Sequence, residues 1–137
     1  MTTKKILIAD DDPHFVLMAK SRLEANHYEV STASNGVDAV KCAGDWKPDL
    51  VLLDMLMPAM EGYDVCKQLK SADNTRQIPI IILTASTRKE DQIKCLRAGA
   101  LVVILKPFNP IELLALIKKA FDPNSKWRKL ENIGMEK

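Results

Sequence analysis

Residues 50–62 read LVLLDMLMPAMEG, and this stretch decides the fold. Four apolar residues, Leu50 to Leu53, run directly into Asp54, and Met57, Pro58 and Gly62 then turn the chain. An apolar run this short, bounded by turn residues, predicts a strand buried on both faces. Asp54 stands where that strand leaves the core. A lone strand-end aspartate is ordinarily a turn or cap residue, so its meaning depends on the other strand ends.

Four further apolar runs have the same form, at residues 4–9, 28–33, 78–83 and 101–105. Each of the five is followed by a helical pattern. Asp12-Pro13 has the form of an N-cap with proline at the first helical position, and the helix runs to about Asn26 with Phe15, Met18, Ala19, Arg22 and Leu23 facing inward. After Asn35-Gly36, residues 37–45 form a shorter helix with Val37, Val40, Cys42 and Ala43 apolar, and Trp46-Lys47-Pro48 turns into the central strand. Residues 63–72 place Val65, Cys66 and Leu69 on one face. Thr87 and Glu90 make a capping-box pattern for a helix over 88–98, which Gly99 ends. The last helix covers 111–121. Strict strand–helix alternation predicts an α/β protein with a five-stranded parallel, doubly wound sheet in three α/β/α layers.

Composition is that of an ordinary globular domain, with 47% hydrophobic and 28% charged residues. One domain over residues 1–121 is expected, with 122–137 as a tail or linker. In the tail, Trp127, Leu130 and Ile133 keep only a weak helical spacing. A net charge of +2 gives no case for nucleic acid or an anionic membrane. No apolar stretch approaches membrane-spanning length, and no secretory signal is expected. Cys42, Cys66 and Cys95 are widely spaced and form no CxxC pair, so free thiols in a reducing cytoplasm are expected. His14 and His27 do not make a zinc site.

In a parallel sheet all strands exit at one edge, where ligands bind. Here the exits carry Asp10 and Asp11, Asp54, Thr84 and Lys106, while the strand over 28–33 adds only Ser34. Two carboxylates about 4 Å apart repel by ~4 kcal/mol at an effective dielectric near 20, so the acids need a counter-charge or a proton. Hard oxygen ligands with room for water and phosphate suit Mg²⁺. A carboxylate flanked by Mg²⁺, a lysine and a hydroxyl is arranged to form an aspartyl phosphate.

Over roughly residues 4–121, the motifs ILIADDDP, LVLLDMLMPAMEG and IIILTAS, with Gly99-Ala100 and Lys106-Pro107-Phe108, resemble the receiver domains of bacterial two-component response regulators. The resemblance implies a flavodoxin-like sheet of strand order 2-1-3-4-5. It implies Asp54 as phosphoacceptor, Asp11 as a direct Mg²⁺ ligand, Asp10 as one acting through water, and Leu56 as a ligand through its backbone carbonyl. It further implies Thr84 as the switch hydroxyl, Lys106 as the phosphate-binding lysine and a cis Lys106–Pro107 bond. The phosphodonor would be a sensor histidine kinase or a phosphotransfer protein. The chain would not be an enzyme beyond self-phosphorylation and slow self-dephosphorylation.

Two departures from the family pattern stand out. Val103 occupies the position of the usual switch aromatic, and a β-branched side chain has few rotamers to change. Leu101 and Val102 replace polar residues, either extending the buried strand or forming an apolar patch for a homodimer. Leu56 and Ser86 offer no acid or amide to orient water, which predicts a long-lived phosphoryl group. Other classes fit less well. An FMN-binding flavodoxin needs a phosphate loop where Asp10 to Asp12 stand, and a haloacid-dehalogenase-type phosphatase needs an acid at Leu56. The alternative is a pseudo-receiver that binds partners or dimerises without phosphorylation; the retained acidic, threonine and lysine positions argue against it, while Val103 keeps it open.

Overall fold

The computed structural model describes residues 3–106 and 109–125. Ten elements alternate: β1 (Lys5–Ala9), α1 (Pro13–Ala25), β2 (Glu29–Ala33), α2 (Gly36–Trp46), β3 (Leu50–Asp54), α3 (Gly62–Ser71), β4 (Ile80–Thr84), α4 (Lys89–Arg97), β5 (Val102–Leu105) and α5 (Pro110–Phe121). All strands pair in parallel, in the order β2-β1-β3-β4-β5. The expected fold class and strand order are both found. Pro107, Phe108 and the tail from residue 126 lie outside the described residues, and with them the cis bond and the helical spacing of Trp127, Leu130 and Ile133.

The sheet divides two apolar layers by the alternation of its side chains. Ile6, Ile8, Leu50, Leu52, Ile81 and Leu83 face α1 and α5, packing with Ala19, Leu23, Leu113 and Ile117. Leu7, Val51, Leu53, Ile80 and Ile82 face the other side with Ala39, Val65, Leu69 and Cys95. Residues of the central strands are thus buried on both faces, which is why their sequences are continuously apolar. The outer strands β2 and β5 are only partly covered.

Helix ends follow local chemistry. The Asp12 side chain accepts from the His14 and Phe15 backbone N–H groups, and Asn35 and Asn109 cap α2 and α5 in the same way. Gly99, at φ 110°, lets its own N–H reach Leu96 O (3.1 Å) and the Ala100 N–H reach Cys95 O (3.2 Å). That paired closure satisfies two carbonyls at the end of α4.

Several expectations need correction. α4 begins at Lys89, with Arg88 at the cap position and no side-chain cap bond. The helix starts one residue later than the Thr87 capping box requires, and Glu90 instead faces Arg88 at 3.8 Å. Arg22 is exposed, and Val16 packs on the core from that helix. Val37 is exposed, because α2 buries Gly36, Ala39 and Ala43. Leu101 is buried and Val102 is half-buried against the α1–α5 layer, so they extend the strand and do not form an open patch. Exposed apolar side chains in α4, β5 and α5 are instead Ile93, Leu96, Leu105 and Ile111. Cys42, Cys66 and Cys95 are free, the last two buried.

The loop after β3 is held backbone to backbone. Gly62 N–H donates to Met55 O (2.7 Å), and Met60 N–H donates to Pro58 O (2.8 Å) across Ala59, whose φ is 69°. A Cβ on Gly62 would stand 2.5 Å from Asp54 O and 2.9 Å from Met55 Cα, and one on Gly36 would strike the Met60 carbonyl. Gly44, by contrast, has open space, its nearest neighbour being Asn74 Nδ2 at 3.9 Å. Gly62→Ala is therefore expected to lower the unfolding free energy by about 2 kcal/mol through backbone displacement. Gly44→Ala is expected to raise it by ~0.5–1 kcal/mol through helix propensity. Urea melts of the two variants check this, and shifts of the same sign would contradict it.

Candidate functional site

The in-phase register brings the strand exits to one edge: Ala9 pairs with both Ala33 and Leu53, Asp54 with Leu83, and Thr84 with Leu105. Asp10 follows β1 and its N–H still bonds Ala33 O at 3.0 Å, which fixes its backbone. Asp54 and Thr84 are the last residues of β3 and β4, and Lys106 follows β5, its N–H on Thr84 O at 2.8 Å. The four exits singled out in the sequence therefore lie together. Asp10, Asp11 and Asp54 each present an oxygen within 4.8 Å of the others.

Burial sorts these groups. Asp10 and Thr84 are almost fully buried and Asp54 is 9% exposed, whereas Asp11 is exposed and Lys106 partly buried. Asp10 is fully engaged: Oδ1 accepts the Asp12 N–H (2.9 Å) and Oδ2 accepts Lys106 Nζ (2.6 Å). Lys106 reaches past β4 and β3 to do so, and stands 3.7 Å from Asp54 Oδ1. The lysine is thus committed to Asp10 first and to Asp54 second. Its ammonium also lies 4.8 Å from the centre of the Phe15 ring, a cation–π contact that stiffens its approach.

Asp54 is left with incomplete compensation. Burial, more than any neighbour, pushes its carboxyl up from 3.8 to about 6, and the charges of Asp10 and Asp11 add to this. Lys106 and the Leu56 N–H work in the opposite direction. Thr84 Oγ1 accepts the Ser86 N–H at 3.0 Å, which leaves its own proton available to donate. The Leu56 side chain is exposed, and among the described residues its carbonyl accepts no backbone hydrogen bond.

One participant, and the contacts of two others, were not visible in the sequence. Phe15 reads as an inward residue of α1, yet it also faces Lys106; its place one turn after the aspartates was the available signal. Ser86 Oγ donates to Asp91 Oδ2 at 2.7 Å and accepts the Arg88 N–H at 3.2 Å, tying the Thr84 loop to the first turn of α4. Gly62 lets α3 begin directly against the acceptor strand.

Residues 6–118 match the family model described as the response regulator receiver domain. The alkaline phosphatase synthesis transcriptional regulatory protein PhoP of Bacillus subtilis is 41% identical over 115 residues, 84% of this chain and 47% of that protein. The chain spans roughly a quarter to a half of the length of such curated relatives. Among solved structures, the chemotaxis response regulator CheY4 of Vibrio cholerae superposes with a TM-score of 0.83 at 31% identity, covering 88% of this chain and all of that one. The receiver domain of the sensor histidine kinase PA1611 from Pseudomonas aeruginosa, with magnesium in its active-site cleft, gives 0.78 at 30% identity, covering 86% and 97%. Sheet order, exit-edge residues and relatives agree, and the chain belongs to the receiver-domain family of two-component response regulators.

Proposed function

We propose that this chain accepts a phosphoryl group on Asp54 from the phosphohistidine of a sensor histidine kinase or phosphotransfer protein. A carboxylate oxygen of Asp54 attacks phosphorus in line, the P–N bond to the donor histidine breaks, and an acyl phosphate forms. The observation that carries this reading is the surroundings of Asp54. It is a nearly buried acid at a strand exit, beside two further acids, with an ammonium at 3.7 Å and a hydroxyl ending the neighbouring strand.

The all-oxygen donor set of Asp10, Asp11 and Asp54, with the Leu56 backbone carbonyl, fits a hard divalent cation such as Mg²⁺. When bound, Mg²⁺ neutralises negative charge on the phosphoryl oxygens. Lys106 supplies a second positive charge from the β5 side, and the Thr84 hydroxyl donates to a phosphoryl oxygen. Hydrolysis is slow in this reading, because Leu56 has no acid to orient water and the Ser86 hydroxyl is already held by Asp91. The chain then acts as a signalling switch and not as a turnover enzyme. Val103 packs against the α2–α4 layer, so the change at Thr84 passes to α4 through Ser86 and Asp91 and not through an aromatic rotamer.

Incubation of the protein with acetyl phosphate and Mg²⁺ is expected to give a single phosphoryl adduct by intact mass. Asp54→Ala and chelator-treated protein are expected to give none. An unmodified wild type would sink the proposal.

The raised Asp54 carboxyl also predicts a pH signature in metal-free buffer. Between its ordinary value of 3.8 and about 6, the folded chain holds the proton more tightly than the unfolded one. Stability is therefore lost as pH rises through that window. Asp54→Asn is expected to remove this decline and to be more stable than wild type at pH 7, by on the order of 2 kcal/mol. Parallel pH–stability curves for the two proteins would refute it.

A further inference from the structure

The α3 and α4 helices lie side by side on the sheet and meet where Cys66 Sγ donates to Ala98 O at 3.5 Å. Elsewhere they part into a surface trough of about 670 Å³, lined by Tyr63, Lys67 and Lys70 from α3 and by Glu90, Lys94 and Arg97 from α4. Four of these are cations and one is an acid. The acid is engaged, since Glu90 faces Arg88 at 3.8 Å. Lys70 is structural: its ammonium donates to the Arg76 and Ile78 carbonyls at 3.0 and 2.8 Å. Lys67, Lys94 and Arg97 are exposed, and none has a carboxylate within ion-pair distance among the described residues.

Two of these cations converge. Lys67 from one wall and Lys94 from the other place their ammoniums 5.3 and 4.1 Å from the centre of the same Tyr63 ring. The ring's π-electrons hold both, but the two like charges repel, and a bound anionic group would relieve this. From Tyr63 to Ser71 the α3 wall is about 12 Å long at the helical rise, far larger than an inorganic phosphate. With two ammoniums drawn to Tyr63, the ring is a seat for cations and not an open platform for a nucleotide base. Half-exposed Ile93 adds an apolar contact to the α4 wall. We propose that the α3–α4 trough is a docking surface for an acidic segment of a partner protein. Its carboxylates pair with Lys67, Lys94 and Arg97, and an apolar side chain of the same segment packs on Ile93.

The trough adjoins the functional edge, because Tyr63 and Lys94 also line a smaller cavity of about 380 Å³ with Leu56, Ser86 and Asp91. The occupant would lie beside the loop that follows Asp54, although its binding does not depend on phosphoryl transfer. The test titrates the ¹⁵N-labelled chain with a short peptide of glutamates interspersed with leucine, alongside GTP and a single-stranded oligonucleotide. Amide shifts at Tyr63, Lys67, Lys94 and Arg97 are expected with the peptide, weakening as salt is raised. The double substitution Lys67→Glu, Lys94→Glu is expected to weaken peptide binding at least tenfold. Lys67→Gln, a milder change that keeps the stem, is expected to weaken it several-fold, and serves if the double variant does not fold. No peptide binding, shifts confined to other surfaces, or tighter binding of GTP or the oligonucleotide would overturn the proposal.

Discussion

The ion pair between Lys106 and Asp10, at 2.6 Å, is the contact on which the rest of the edge depends. It joins the exit of β5 to the exit of β1 across two intervening strands. Without it, three carboxylates whose oxygens lie within 4.8 Å would have no fixed cation to hold them together. With it, Asp10 is neutralised and Asp54, 3.7 Å from the same ammonium, remains the least compensated buried acid. One lysine thus divides equal side chains into a paired acid and a less compensated one. Geometry accomplishes this, since both residues are aspartates at the ends of neighbouring strands.

Much of this was legible in the sequence because the three central strands are covered on both faces. Ile6 to Ala9, Leu50 to Leu53 and Ile80 to Leu83 contain no polar residue, so the first polar residue after each run marks where the chain leaves the apolar core. Reading those residues gave Asp10, Asp54 and Thr84, and the structure brings them together with Lys106. Less legible were contacts between residues near in sequence but on different local turns. The start of α4 shows this: Thr87 and Glu90 satisfy the spacing of a capping box, yet the helix begins one residue later and Ser86 takes the Arg88 N–H. Which residue stands at the start of a helix is decided by how the preceding strand ends, and spacing alone does not carry that. The covering of Leu101 and Val102 was equally hidden, because a run that extends a strand and a run that forms a patch have the same composition.

The two apolar layers also differ in what they transmit. Toward α1 and α5 the sheet presents branched side chains from β1, β3 and β4 in a continuous layer, which gives the edge a rigid base. Toward α2, α3 and α4 the layer includes Met55, Met57, Cys66, Cys95 and several alanines. Small and thioether side chains repack with less resistance than β-branched ones. That layer lies beneath α3 and α4, next to the Ser86–Asp91 contact and beneath the basic trough.

Glycine contacts around the acceptor loop set its length. Gly36 opens α2 against the Met60 carbonyl and Gly62 opens α3 against the Asp54 carbonyl, so residues 55–61 span a gap whose two ends are main-chain surfaces. Neither end can retreat, since each also begins a helix whose face is buried. An added residue would have no slack to occupy and would push outward from the sheet edge. The stretch of residues 73–77 at the other end of α3 is held differently, by side chains, with Thr75 Oγ1 donating to Leu69 O and Lys70 Nζ to Arg76 O.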